Sequence, residues 1–178
     1  MRVLMFHKPR GLVTTTSDER GRRTVFDALP PWVRDQGFVP VGRLDMDSRG
    51  LLLFTDDRSA VEPLGAPGRL KTYEVWVRGR VLGEHVAAAI SGVESAVGTL
   101  KAVSIEIKGM NGPKTRLAVT LDEGKNRHIR RMFGAMTDPG TGTPLKVMDL
   151  KRVSFGAVVL DVPSGQWRFL TQAEIDSL

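Results

Sequence analysis

The sequence predicts an α+β fold built on a largely antiparallel sheet. Three observations carry this. Short apolar or β-branched runs outnumber segments of helical periodicity, several of those runs are joined by tight turns, and no repeat of solenoid length organises the chain.

Taken in order, residues 3–6 are an apolar run and read as the first strand. Lys8-Pro9-Arg10-Gly11 breaks it with a turn. Residues 12–16, rich in threonine, read as a second strand, and 17–23 as a polar loop. Thr24 is placed to cap a short helix through Leu29, which Pro30-Pro31 ends. Residues 38–41 and 51–54 are strands on either side of a loop that carries Asp45. Residues 57–64 read as helix. Residues 71–78 alternate and form a strand, and the alanine-rich stretch 82–90 is a helix stopped by Ser91-Gly92. Residues 103–107 and 116–121 are hairpin strands turned at Met110-Asn111-Gly112, with Asn-Gly as the signal. Residues 125–136 form a helix, followed by a Gly/Thr/Pro-rich loop over 138–144. Strands at 147–155, 158–162 and 166–170 follow, and Thr171-Gln172-Ala173-Glu174 opens a last helix as a capping box.

At 178 residues the chain suits one domain or two tightly packed halves, and it can bury a sizeable core without staples. It has no cysteine, so it has no disulfide framework and no thiolate chemistry, which fits the cytoplasm. No stretch approaches membrane-spanning length, and the N-terminus lacks a signal-peptide pattern. The three histidines (His7, His85, His128) lie far apart, so a structural zinc site is not expected. The net charge is +6, and its distribution says more than its size. Residues 101–131 carry eight Lys or Arg against three Asp or Glu. Such clustering points to a polyanionic partner, although a solvated basic face has the same composition.

Two segments carry candidate chemistry. The first, V-G-R-L-D-M-D-S-R-G-L-L-L-F, sets Asp45 between Arg43 and Arg49, just before a buried strand. A carboxylate at that point is partly desolvated and needs a cationic partner to stay ionised. Once ionised and positioned it can act as a nucleophile, or it can simply cap a turn or pair structurally. The second is K-N-R-H-I-R-R-M-F-G-A-M. Ile129, Met132, Phe133 and Met136 share one helical face, Arg127 and Arg131 the opposite one, and Arg130 stands at the seam. A seam arginine has a permanent charge and a fork that fits a carboxylate. An ordinary amphipathic surface helix shows the same pattern.

Four segments in order resemble the RsuA-type pseudouridine synthases. His7-Lys8-Pro9-Arg10-Gly11, continuing to Thr14-Thr15-Thr16, is similar to the family's first motif. Gly42-Arg43-Leu44-Asp45 with Asp47-Ser48-Arg49-Gly50 is similar to the second, which holds the nucleophilic aspartate. Lys71-Thr72-Tyr73 is similar to the K-x-Y strand, and Glu123 through Met132 to the third motif. The closing residues Gly156, Gly165, Arg168 and Leu170-Thr171 also fall in the family's rhythm, so the likeness covers almost the whole chain. It implies the pseudouridine-synthase fold, a mixed, mainly antiparallel sheet with flanking helices and a central cleft, over 1–178 as a single catalytic domain that two packed subdomains can make up.

The chain opens directly on the catalytic motifs. It thus resembles the subgroup without the N-terminal accessory RNA-binding domain, whose usual substrate is a uridine in large-subunit ribosomal RNA. The 138–144 connection is longer than the family's usual one, and His128 stands where relatives often have Gln; either residue can hydrogen-bond.

The resemblance further implies site roles. Asp45 is the nucleophile, Arg130 its partner, and Tyr73 the residue that stacks on uracil and helps remove the proton from carbon 5. Ile129 walls the pocket, Arg43 fills the space of a flipped-out uridine, and Lys8, Lys125, Arg127 and Arg131 meet phosphates of a ribosomal RNA stem-loop. Uridine isomerisation breaks a carbon–nitrogen bond and forms a carbon–carbon bond with no redox step, so no cofactor and no metal are expected. Nor is an obligate protein partner, and the expected state is a cytoplasmic monomer.

The same chemistry on another structured RNA such as tRNA is an alternative. A non-catalytic RNA-binding ribosome-assembly factor explains the charge and the helix, but not the aspartate between arginines. A magnesium-dependent nuclease using Asp45, Asp47, Asp56 and Asp57 is disfavoured because Arg43, Arg49 and Arg58 interleave with them.

Overall fold

A computed structural model describes residues 1–178. It divides into two compact units, the first formed by residues 1–69 with 151–178 and the second by residues 70–150.

In the first unit, β1 (Val3–Lys8) pairs antiparallel with β3 (Arg49–Thr55), and β2 (Val39–Val41) runs antiparallel along β3. Later in the chain come β9 (Lys146–Phe155), which begins in the second unit and ends in the first, then β10 (Val158–Val159) and β11 (Trp167–Phe169). The strand order is β11-β1-β3-β9, with β10 beside β9. β3 and β9 pair in parallel through Arg49–Lys151 and Gly50–Arg152.

Both faces of β1 and β3 are buried, which is why their sequences are continuous apolar runs rather than alternations. Val3, Met5, Leu51 and Leu53 pack on one face with Val41, Leu64, Phe155, Val158 and Leu170. On the other face, Phe54 meets Phe6 and Phe26 edge-on. Gly50 is required where β3 meets β9. Its φ is +110°, and a Cβ there would collide with the backbone of Arg152.

Residues 12–16 are not a strand. Their β-branched composition is used instead in an isolated parallel bridge, Val13 to Thr24, and in side-chain bonds to the Asp45 loop. Thr24 caps a 3-10 turn, Val25–Ala28, by a capping box with Asp27. Pro31 does not end a helix but begins one, α1 (Pro31–Asp35), because proline at a first helical position leaves no bonded N–H behind. The stretch expected as one helix over 57–64 is a 3-10 turn, Arg58–Ala60, capped by Asp57, followed by α2 (Val61–Gly65). The closing helix is α5 (Gln172–Asp176), with the expected Thr171–Glu174 capping box.

The second unit is ordered β9-β4-β8-β7. Here β4 (Lys71–Arg78) pairs antiparallel with β8 (Lys114–Leu121), which forms a hairpin with β7 (Ser104–Asn111). The period-two burial of β4 puts Lys71, Tyr73, Val75 and Val77 inward. The hairpin loop is Gly112-Pro113, since Asn111 pairs with Lys114. Gly112 takes φ +57° at the first loop position, where type II′ turns place glycine. The remaining elements are α3 (Gly83–Ser91), the small hairpin β5 (Val93–Ser95) and β6 (Gly98–Leu100), and α4 (His128–Gly134). The architecture is α+β with mainly antiparallel pairing, as expected. No helix is long and apolar enough to cross a membrane.

Candidate active site

The first unit holds Asp45, half-buried, in a turn between β2 and β3 that the chain fastens from several sides. Within the turn the Ser48 N–H donates to the Asp45 carbonyl at 3.0 Å. From the segment after β1, the Gly11 N–H donates to the Met46 carbonyl at 2.8 Å. Thr14 Oγ1 donates to the Leu44 carbonyl at 2.8 Å and accepts the Leu44 N–H at 3.3 Å.

Lys8 closes the structure. Its Nζ donates to the carbonyls of Ser48 at 2.7 Å, Asp45 at 3.0 Å and Pro9 at 3.1 Å. These bonds use all three donors of an ammonium. The first two motifs of the resemblance are thus one object, a carboxylate loop and the segment that holds it.

Lys8 is fully buried, which corrects its expected role. A side chain with no exposed surface and every donor spent on backbone is not available to an RNA phosphate; it positions the Asp45 turn. Burial pulls its ammonium below the usual lysine range to about 8, against the opposing pull of the Asp45 and Asp47 charges. Arg43, in the same turn, is exposed.

His7 is also buried. Its Nδ1 donates to the Val162 carbonyl at 2.8 Å, and desolvation by burial outweighs that bond and lowers its pKa. The other two carboxylates of the nuclease reading are engaged elsewhere. Asp56 accepts from the Arg2 N–H and Nε, each at 2.7 Å, and Asp57 accepts the Ser59 N–H at 3.0 Å as a cap.

The second unit holds the remaining candidates. Tyr73 lies on the inward face of β4, opposite Val119. Ile129 is buried on α4 beside Met132 and Phe133, as the helical periodicity predicts. Arg130 is half-buried, and its Nη1 donates to the Val147 carbonyl at 3.2 Å. His128 Nε2 donates to the Lys101 carbonyl at 2.9 Å, the hydrogen bond expected of that position, and burial lowers its pKa.

Helix α4 is shorter than the 125–136 expected. Arg127 adopts the left-handed conformation (φ 51°) at the N-cap, so it does not share a helical face with Arg131. Met136 likewise falls beyond the helix end. Arg131 turns back on the preceding loop, with Nε to the Asn126 carbonyl at 3.1 Å and Nη2 to Asn126 Oδ1 at 3.0 Å. Exposed Lys125 donates to the Thr99 carbonyl at 2.8 Å and pairs with Glu123 at 3.1 Å. The 138–144 loop is built around buried Asp138, whose carboxylate accepts the N–H groups of Gly140 at 2.8 Å and Arg80 at 3.0 Å.

The family model described as RNA pseudouridylate synthase matches residues 2–135, and the chain belongs to that family. It is 37% identical to the "Ribosomal large subunit pseudouridine synthase B" of Vibrio cholerae, over 99% of this chain and 54% of the relative. With the protein of that name from Pseudomonas aeruginosa the identity is 37%, over 99% and 45%. The Escherichia coli K12 protein of that name is 36% identical over 99% and 60%. The chain thus spans about half the length of these curated relatives.

Among solved structures, "Crystal structure of pseudouridylate synthase" superposes with a TM-score of 0.81 at 28% identity, covering 99% of this chain and 73% of that one. "Structure of H/ACA RNP bound to a substrate RNA containing 2'-deoxyuridine" shares the fold, with a TM-score of 0.64 at 18% identity over 90% of this chain and 49% of that one.

Proposed function

We propose that this chain converts a specific uridine to pseudouridine in ribosomal RNA, with large-subunit RNA as the substrate class. One observation carries the reading beyond family membership. Asp45 sits half-buried in a turn whose carbonyls are held by a buried lysine and by the Gly11 and Thr14 contacts. A scaffold of this kind suits a carboxylate that must attack carbon in one orientation.

In this reading Asp45 attacks either the anomeric carbon of the sugar or carbon 6 of uracil. Arg130 is its cation and keeps it ionised. Tyr73 stacks on the base and assists the late removal of the carbon 5 proton, while Ile129 walls the pocket. The uridine leaves its stack to react, and Arg43 fills the vacated space. Lys125, Arg127 and Arg131 meet phosphates, which position the RNA rather than specify it. The bond breaking and bond making balance within the nucleoside, so the chemistry calls for no cofactor. The relatives' names support the RNA class, and the proposed setting is a monomer in the cytoplasm.

The test is a pseudouridine map of ribosomal RNA from a strain that lacks the gene. One large-subunit position should revert to uridine, return with the wild-type gene and stay absent with Asp45→Asn. Full restoration by Asp45→Asn would mark a binder rather than a catalyst and end the proposal.

A further inference from the structure

We infer that the first unit carries a second RNA contact, a phosphate-binding depression in which the Arg23 and Arg34 guanidiniums take the strand flanking the modified nucleotide. The inference rests on the reading of the chain as an RNA-modifying enzyme.

The depression lies on the loop after Thr16 and on α1. It opens to solvent and is lined by three arginines (Arg22, Arg23, Arg34), the hydroxyls of Ser17 and Thr24, and two carboxylates. Both carboxylates have partners. Asp18 accepts the Arg22 backbone N–H at 2.7 Å and its Nη2 at 2.7 Å, which neutralises that arginine. Asp27 Oδ2 accepts the Thr24 N–H at 2.6 Å and its hydroxyl at 3.1 Å. Arg23 is in no ion pair, although the Asp27 charge acts on both Arg34 and Arg23 at longer range, so the two guanidiniums together outweigh one carboxylate. Arg34, an exposed residue, holds its guanidinium over the Phe26 ring at 5.0 Å. Planar guanidiniums with unspent donors, in a hollow edged by hydroxyls, match phosphate oxygens in charge and geometry.

Position makes the ligand RNA rather than a free anion. The Arg23 carbonyl accepts the Val13 N–H at 2.9 Å, and Val25 N–H donates to the Val13 carbonyl at 3.0 Å. The next residue, Thr14, is bonded to Leu44 at 2.8 Å, and Leu44 adjoins Asp45. Along that path Arg23 stands at most about 20 Å from Asp45, given ~3.8 Å per residue step and ~4.8 Å per strand spacing. That is the reach of a few nucleotides from a base held at Asp45. The same 12–14 segment braces the carboxylate turn through Thr14 and pairs through Val13 with the backbone of Arg23.

The experiment compares wild type with Arg23→Gln/Arg34→Gln and with Arg58→Gln, an exposed arginine of the same unit outside the depression. The probe is an unmodified transcript of large-subunit ribosomal RNA. Binding is titrated at several salt concentrations, and turnover is followed by tritium released from carbon 5 of uridine. Losing two phosphate contacts should flatten the log–log salt slope by about 1.5, raise KM about tenfold or more at moderate salt, and leave kcat at saturating RNA unchanged. Arg58→Gln should match wild type. An unchanged slope and affinity in the double variant, or an equal loss in Arg58→Gln, would overturn the site. So would inorganic phosphate binding that depends on Arg23 and Arg34 while RNA affinity does not. Affinity decides the arginine site and turnover decides the chemistry, so the two readings fail separately.

Discussion

Replacing Lys8 by methionine keeps an unbranched chain in a closed space and removes the ammonium. Two opposing effects then act on stability. The carbonyls of Ser48, Asp45 and Pro9 lose their donor. Only the Ser48 contact is fully buried, so water can replace the other two, and the loss is about 1–3 kcal/mol. Against it, the charge is no longer held out of water. A shift from 10.5 to about 8 corresponds to about 3 kcal/mol at 1.36 kcal/mol per unit. The two nearly cancel, and the urea midpoint of Lys8→Met should stay close to wild type. Activity should not. The Asp45 turn loses the clamp on both of its ends, and a displacement on the order of 1 Å costs about a hundredfold in rate.

The assay is kcat by tritium release beside urea unfolding of the same preparations. A large fall in kcat with little change in midpoint is the expected result. The titration of Lys8 adds a check. Its folded pKa lies below the unfolded one, so between about 8 and 10.5 the folded state gives up its proton first and stability rises with pH. The neutral amine has only two N–H groups for three carbonyls, so kcat should fall over the same window. Unchanged kcat in Lys8→Met, or a rate loss that merely follows unfolding, would refute the positioning role.

Three further outcomes are expected. Tyr73→Phe should bind RNA with wild-type affinity yet stall product formation, and wild-type turnover would remove Tyr73 from the site. Gly50→Ala should lower stability by about 3 kcal/mol or more, seen as a shifted urea midpoint, because a side chain at φ +110° also strikes the Arg152 backbone; a neutral effect would mean that β3 and β9 do not approach so closely. His7 and His128 are both held neutral by burial, with folded pKa values below 6.5. Above 6.5 neither affects stability, and as pH falls below it the unfolded chain protonates first. Stability should then drop by up to about 1.4 kcal/mol per pH unit for each histidine, and His128→Gln should reduce the dependence measured by unfolding between pH 7 and 5.

The sequence by itself determined the elements whose pattern is local. β1 and β3 were readable as apolar runs, β4 as a strict alternation, the closing helix from its capping box, and the inward face of α4 from the spacing of Ile129, Met132 and Phe133. The candidate residues were likewise readable as motifs, because residue type at fixed spacing is what a motif is. Tertiary structure decided where those residues lie and which groups they bond.

Residues 12–16 have strand composition, but their partners are Arg23, Thr24 and the Leu44 backbone, so they brace a loop instead of extending a sheet. The left-handed turn at Arg127 overrides a helical period and moves that arginine off the helix. Lys8 reads as a surface cation in any local window. It becomes the buried clamp of Asp45 only because β1 pairs with β3 and brings carbonyls 37 and 40 residues away to its ammonium. A lysine's location depends on whether three acceptors are waiting to offset the loss of water. That is a property of contacts distant in sequence, which periodicity and propensity do not encode.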